Sequence, residues 1–134
     1  MSNDLGQFET AKEDGEWLEV LHPVTGQVIR DSEDVALQIC LLGKDSKQYR
    51  KAQRSITERR MKSRSKASRM NAEAIEIEAI DVLVACVTDW KGLGSDGVEL
   101  VCNPANARKV FTEHLWLREQ VDEFVDDRGN FMKG

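Results

Sequence analysis

The rhythm of apolar and polar positions changes several times along this chain, and each change predicts an element. Trp17-Leu18-Glu19-Val20-Leu21-His22 and Gln27-Val28-Ile29-Arg30 are two apolar-bearing runs separated by Pro23-Val24-Thr25-Gly26. Proline presets φ for a turn and glycine tolerates positive φ, so this stretch predicts a β-hairpin. Residues 35–42 then alternate, with Val35, Leu37, Ile39 and Leu41 on one parity and Ala36, Gln38, Cys40 and Leu42 on the other. A helix capped by Ser32 competes there, but the period of two and the β-branched residues favour a strand. Together these segments predict a small antiparallel β-meander over 16–43.

Gly43 ends that region and Asp45-Ser46 supplies a helix N-cap. Up to Val87 no proline or glycine interrupts the chain. Tyr49, Ala52, Ile56, Met70, Ala74, Ile77, Ile80, Val84 and Val87 recur at a three-four spacing, but Arg59, Ser63, Lys66 and Glu73 occupy the same register. One helix over this span would be about 65 Å long at 1.5 Å per residue. A compact domain of this length has a radius of gyration of only about 14 Å. A break among Ser63, Ser65, Ser68 and Asn71 is therefore expected in preference to a protruding basic arm. The second piece, 72–88, is expected to be the central core helix, with Ile77, Ile80 and Val84 inward.

Thr88-Asp89-Trp90-Lys91-Gly92 is read as the end of that helix, Gly94-Ser95-Asp96-Gly97 as a turn, and Val98 to Cys102 as a short extended piece. Asn103-Pro104 pairs an N-cap with proline at the first helical position. The helix that follows turns Ala107, Val110 and Phe111 inward. A last one, about 115–127, does the same with Leu117, Val121, Phe124 and Val125. The predicted class is α+β and mostly α-helical, a meander followed by a bundle of about three to four helices. A single domain over 16–134 contains the meander (16–43), a basic helical segment (44–70) and a helical core (71–134), after a flexible acidic tail (1–15).

Composition narrows the functional classes. The chain has 134 residues, 40% of them hydrophobic and 32% charged, which suits one folded domain. Its main apolar run, Val82 to Val87, is far short of the ~20 residues that span a bilayer. The acidic start has no secretory pattern, so a soluble intracellular protein with no membrane partner is expected. Cys40, Cys86 and Cys102 are isolated, odd in number and without a Cys-x-x-Cys pair, so they read as reduced thiols. His22 and His114 have no nucleophile motif beside them, and no phosphate-binding glycine motif is present. Glu119, Asp122, Glu123, Asp126 and Asp127 read as a solvated acidic face, since nothing spaces them around a tight loop. No catalytic, cofactor or metal residue is assigned, and a non-enzymatic role is expected.

The charge pattern says more than the net value of −5. Residues 1–43 carry two bases and nine acids, 44–70 eleven bases and two acids, and 71–134 six bases and thirteen acids. A basic middle between acidic ends fits a protein-docking face, nucleic acid or internal pairing. Arg59-Arg60-Met61-Lys62-Ser63-Arg64-Ser65-Lys66 is dense enough to grip phosphates. Tyr49 is the lone aromatic there, and the flanking acids repel a polyanion. Protein docking is the preferred reading, and a small DNA- or RNA-binding regulatory protein using 44–70 is the alternative.

Asp89-Trp90-Lys91-Gly92-Leu93, Asp96-Gly97-Val98-Glu99-Leu100 and Asn103-Pro104-Ala105-Asn106-Ala107 together resemble the tail assembly chaperones of long-tailed (siphovirus-type) bacteriophages. The ending Trp116-Leu117-Arg118-Glu119-Gln120-Val121, with Asp127-Arg128-Gly129-Asn130-Phe131, is similar to that family's closing helix and Arg-x-Asn-Phe end. The resemblance is best over 81–131 and fainter at Pro23-Val24-Thr25-Gly26 and Leu42-Gly43-Lys44-Asp45-Ser46. Cys102 departs from it, standing where a small or aromatic residue is expected.

The resemblance implies a holding protein that coats the tape-measure protein and recruits tail-tube subunits in the host cell cytoplasm. It leaves before the tail is complete and is absent from the mature virion. A longer product of ribosomal frameshifting is implied too, although slippage is a property of the messenger RNA. Such a role needs an apolar or amphipathic surface and solubilising charge. Trp90, Trp116 and Phe131 are the apolar candidates, each with core packing as its competing reading. Arg59, Arg60 and Arg64 are the charged candidates, because copies pairing basic face to acidic face would build a ring or helical coat.

Overall fold

The computed structural model describes residues 2–62 and 72–132. Strands β1 (Glu16–Glu19) and β2 (Gln38–Leu41) precede helices α1 (Lys47–Lys62) and α2 (Ala72–Cys86). Strand β3 (Val87–Lys91) follows α2 directly. A small hairpin, β4 (Gly94–Ser95) and β5 (Val98–Glu99), leads to α3 (Pro104–Glu113) and α4 (Leu115–Asp126). The class is α+β, as expected: a three-stranded antiparallel sheet joined to helices.

The sheet differs from the expected meander in its third strand. β2 lies between β1 and β3, antiparallel to both. Residues 27–30 make only isolated bridges, Leu21 with Val28 and Arg30 with Ala36. The place beside β2 goes to β3, the segment read from sequence as a helix end. Burial explains the choice. β3 sets Trp90 opposite Ile39, and Trp90 is 6% exposed, whereas Gln27 and Arg30 face water. The Trp90 Nε1–H donates to the Leu100 carbonyl at 2.9 Å, so the indole is buried with its polar atom satisfied. Across the outer strands, the Lys91 ammonium sits 4.5 Å from the centre of the Trp17 ring.

α1 and α2 are separate antiparallel neighbours, since Arg60 meets Glu78 while the preceding Arg59 meets Asp81 further along α2. The break expected among Ser63, Ser65, Ser68 and Asn71 lies outside the described residues. α2 is central and packs against α1, α3 and α4. In its second half Ile80, Val82, Leu83, Val84 and Cys86 are all buried, and they point to several sides, which is the signature of an enclosed helix. Ile77 is a correction to the expected core. It shares the register of Ile80 and Val84 but is 52% exposed, because the first turns of α2 run ahead of the stretch that the other elements enclose.

α3 and α4 follow the sequence closely. Asn103 accepts the Asn106 amide at 2.8 Å, capping α3, and Ala107, Val110 and Phe111 are buried. Leu117, Val121 and Val125 form the inner face of α4. In the β4–β5 hairpin both central residues have positive φ, Asp96 at 54° and Gly97 at 79°, the geometry that favours Asp-Gly in a two-residue turn. The N-terminal segment is not a loose tail from Thr10 onward. The Thr10 hydroxyl donates to Asp45, and Gly15 is buried beside β2, where the Cys40 thiol donates to the Asp14 carbonyl at 3.5 Å.

These differences in burial set an expected stability order. Ile80→Ala should cost about 2–5 kcal/mol, the usual range for a buried isoleucine. Ile77→Ala should fall within about 0.5–1 kcal/mol, as at half-exposed positions without a special contact. Urea midpoints of the two variants measure this, and equal losses would place Ile77 in the core.

Candidate protein-docking surfaces

Ion pairing across the helices decides which charges remain free. α2 carries Glu76, Glu78 and Asp81, and each holds an arginine from another helix. Arg118 of α4 meets Glu76 at 3.0 Å, Arg60 of α1 meets Glu78 at 3.0 Å, and Arg108 of α3 meets Asp81 at 3.0 Å. Arg59 also reaches Asp81, at 3.8 Å. Two of the three arginines singled out from the sequence are thus engaged within the fold, and Arg64 lies outside the described residues. The free cations of α1 are on its opposite side. Lys47, Arg50, Lys51, Arg54 and Lys62 are all exposed, and none pairs with a described acid. Sequence density alone could not separate these two sets; helical phase relative to the buried Ile56 does.

The aromatic candidates divide in the same way. Trp90 is core, as described above. Phe131 is 1% exposed and packs edge-on against Phe124, with ring centres 5.5 Å apart. It also lies so close to Gly43 that a Cβ there would stand 2.7 Å from the phenyl ring. Neither side chain has surface left for a partner, so both are corrected from docking candidates to core residues. Their burial arises from tertiary contacts that sequence spacing does not reveal.

Trp116 is different. It is half-buried at the start of α4, touching the core on one side, with the His114 ring edge-on at 6.4 Å. Surface hollows lie on both sides of it. One, of about 170 Å³, is walled by Leu37, Leu93, Leu100, Val110 and Leu117 and edged by Lys109, Glu113 and His114. The other, broader and of about 500 Å³, lies between α4 and Pro23 and is edged by Leu115, Glu119, Gln120 and Glu123. Gln120 fixes that wall by bonding both the amide and the carbonyl of Leu21, at 2.9 and 2.8 Å. The sequence reading missed Leu115 and Pro23, because the chain brings them together only through the excursion between β1 and β2.

The remaining reactive residue types have structural surroundings. Burial pushes the Cys86 thiol up to about 12, which suppresses the nucleophilic thiolate. His22 accepts the Val24 and Thr25 amides through Nδ1, at 3.1 and 3.2 Å, and so closes the Pro23–Gly26 turn. Among the described residues no group of three or more His, Cys, Asp or Glu is placed to hold a metal ion, and no helix is long and apolar enough to cross a membrane. Comparison with protein-family models, with curated proteins and with solved structures gives no match.

One carboxylate fastens both ends of the described chain. Asp45 accepts Arg128 Nε at 2.7 Å and Nη2 at 3.1 Å, and it accepts the Thr10 hydroxyl as well. The Arg128 guanidinium first, and the Thr10 hydroxyl second, hold its carboxyl at about 2, against an ordinary value of 3.8. The folded value lies below the unfolded one. The stabilisation is therefore present above about pH 4 and lost as pH falls towards about 2. Asp45→Asn should flatten the stability profile across that window and change its shape little near neutrality. Denaturant melts from pH 2 to pH 7 check this, and an unaltered acid limb would mean that the clasp contributes nothing.

Proposed function

We propose that this protein is a tail assembly chaperone of a long-tailed bacteriophage. It holds the helical tape-measure protein in the host cytoplasm and helps recruit tail-tube subunits, without catalysis. The resemblance over residues 81–131 supports the reading, and one observation carries it: Trp116 stands between two surface hollows, the largest indole surface the named candidates leave for a client. A half-exposed aromatic beside hollows is where binding energy concentrates at protein interfaces. Self-association belongs to the same reading, through the five outward cations of α1 and an acidic surface of a neighbouring copy.

Co-expression with the tape-measure protein of the same phage tests the role. The wild-type chain is expected to keep that protein soluble and to co-purify with it, and Trp116→Ala is expected to lose most of the retention. A client that stays insoluble beside a well-folded, strictly monomeric chain would sink the chaperone reading. For self-association the informative reversal is Lys51→Glu with Arg54→Glu. Reversing Arg59 or Arg60 would instead break pairs inside the fold. Sedimentation should show oligomers that disperse in the double variant and at high salt.

The free cations of α1 also favour a second reading, a DNA- or RNA-binding regulator. Lys47, Arg50, Lys51, Arg54 and Lys62 have the exposure that phosphate contacts require. Affinity would then fall steeply with salt as counterions are released. Fluorescence anisotropy with duplex DNA and with single-stranded RNA is expected to show negligible binding near about 150 mM salt. Micromolar binding there, with a steep salt slope, would put the nucleic-acid reading first.

A further inference from the structure

The two hollows beside Trp116 share features that specify an occupant. The smaller, about 170 Å³, is below the range of roughly 300–1,000 Å³ that holds metabolites and cofactors. Its walls are leucine and valine, so it suits one apolar side chain. The second hollow lies on the other side of the same indole and begins at Leu115. Leu115, Trp116, Glu119 and Glu123 fall on one face of α4 at a helical spacing. The edges of the two hollows carry Glu113, Glu119 and Glu123, exposed and unpaired with any described cation, against the single cation Lys109. An apolar ridge with a predominantly acidic margin is complementary to a helix that is apolar along one stripe and cationic beside it.

We propose that this groove docks an amphipathic, lysine- and arginine-flanked helix of another protein, with Trp116 wedged between two of its apolar side chains. The proposal deepens the chaperone reading, resting on it for the biological client alone. The basic helix face of a second copy fits less well. The outward face of α1 is cationic, but its exposed apolar residue is Met61, 66% exposed near the end of the helix. It offers no pair of apolar side chains to fill two hollows, and its apolar side is already used against α2.

The test uses the full chain and three labelled synthetic helices: a leucine–lysine peptide with one apolar face, the same peptide with glutamate for lysine, and a lysine–serine peptide with no apolar face. The first should bind in the micromolar range and shift the Trp116 indole resonance in proton–nitrogen spectra. The other two should bind about tenfold more weakly or worse. Trp116→Ala should weaken the leucine–lysine helix about tenfold. Should that variant fail to fold, Glu119→Lys with Glu123→Lys, both at exposed positions, should reverse the preference towards the glutamate peptide.

Equal affinities for the three peptides would overturn the proposal. So would affinity insensitive to both variants, or a self-associated wild-type chain whose indole is buried by its own copy. Failure of the chaperone reading looks different: the leucine–lysine helix binds at Trp116 while the tape-measure protein is neither solubilised nor captured. Conversely, a tape-measure protein held equally well by wild type and Trp116→Ala retires the groove and leaves the chaperone role standing.

Discussion

Everything in this molecule is arranged around the burial of one short stretch, Ile80 to Cys86, in the second half of α2. Five of those seven side chains are enclosed, and enclosure on several sides requires neighbours on several sides. α1, α3 and α4 supply three of them. The chain then leaves the helix directly as β3, and the Leu42 amide bonds the Cys86 carbonyl at 2.8 Å. The helical and sheet halves therefore share one core. Apolar area removed from water favours folding at roughly 25 cal/mol per Å², and this segment removes it from several directions at once.

Charge is organised by the same centre. Because α2 is surrounded, its acids Glu76, Glu78 and Asp81 emerge at seams where an arginine from a different helix can reach each of them. Exposed pairs of this kind add little stability individually. Their consequence here is selection, since they draw Arg59, Arg60, Arg108 and Arg118 into the fold and, among the described residues, leave the outer cations of α1 and the glutamates around Trp116 unpaired. A protein with a small net charge thereby presents one basic helix face and one acidic, aromatic-centred groove.

That division gives the proposed function its physical form. A holding protein has to bind an apolar helix stripe without exposing so much apolar surface that it aggregates. A single indole between hollows, ringed by glutamates, meets both demands. The core aromatics Trp90 and Phe131 instead build the frame, one satisfied by the Leu100 carbonyl and the other seated on Gly43.

Local signals in the sequence determined much of the architecture. The Pro-Gly turn, the turn at Gly94-Ser95-Asp96-Gly97, the Asn103-Pro104 cap and the inner faces of α3 and α4 were all legible, because capping, turn conformation and helical phase are properties of neighbouring residues. The alternation at 35–42 located β2 for the same reason. What the sequence left open was decided by long-range competition for burial. Residues 27–30 lost the place beside β2 to β3, which brings a tryptophan to the core. Ile77 kept the right phase but stands where no described element buries it. Of three conspicuous aromatics only Trp116 kept a surface, and among the described residues of the basic run the outward side of α1 stayed unpaired. Phase along a helix is a local quantity, but whether a given face is covered depends on elements tens of residues away, and only the tertiary structure supplies that.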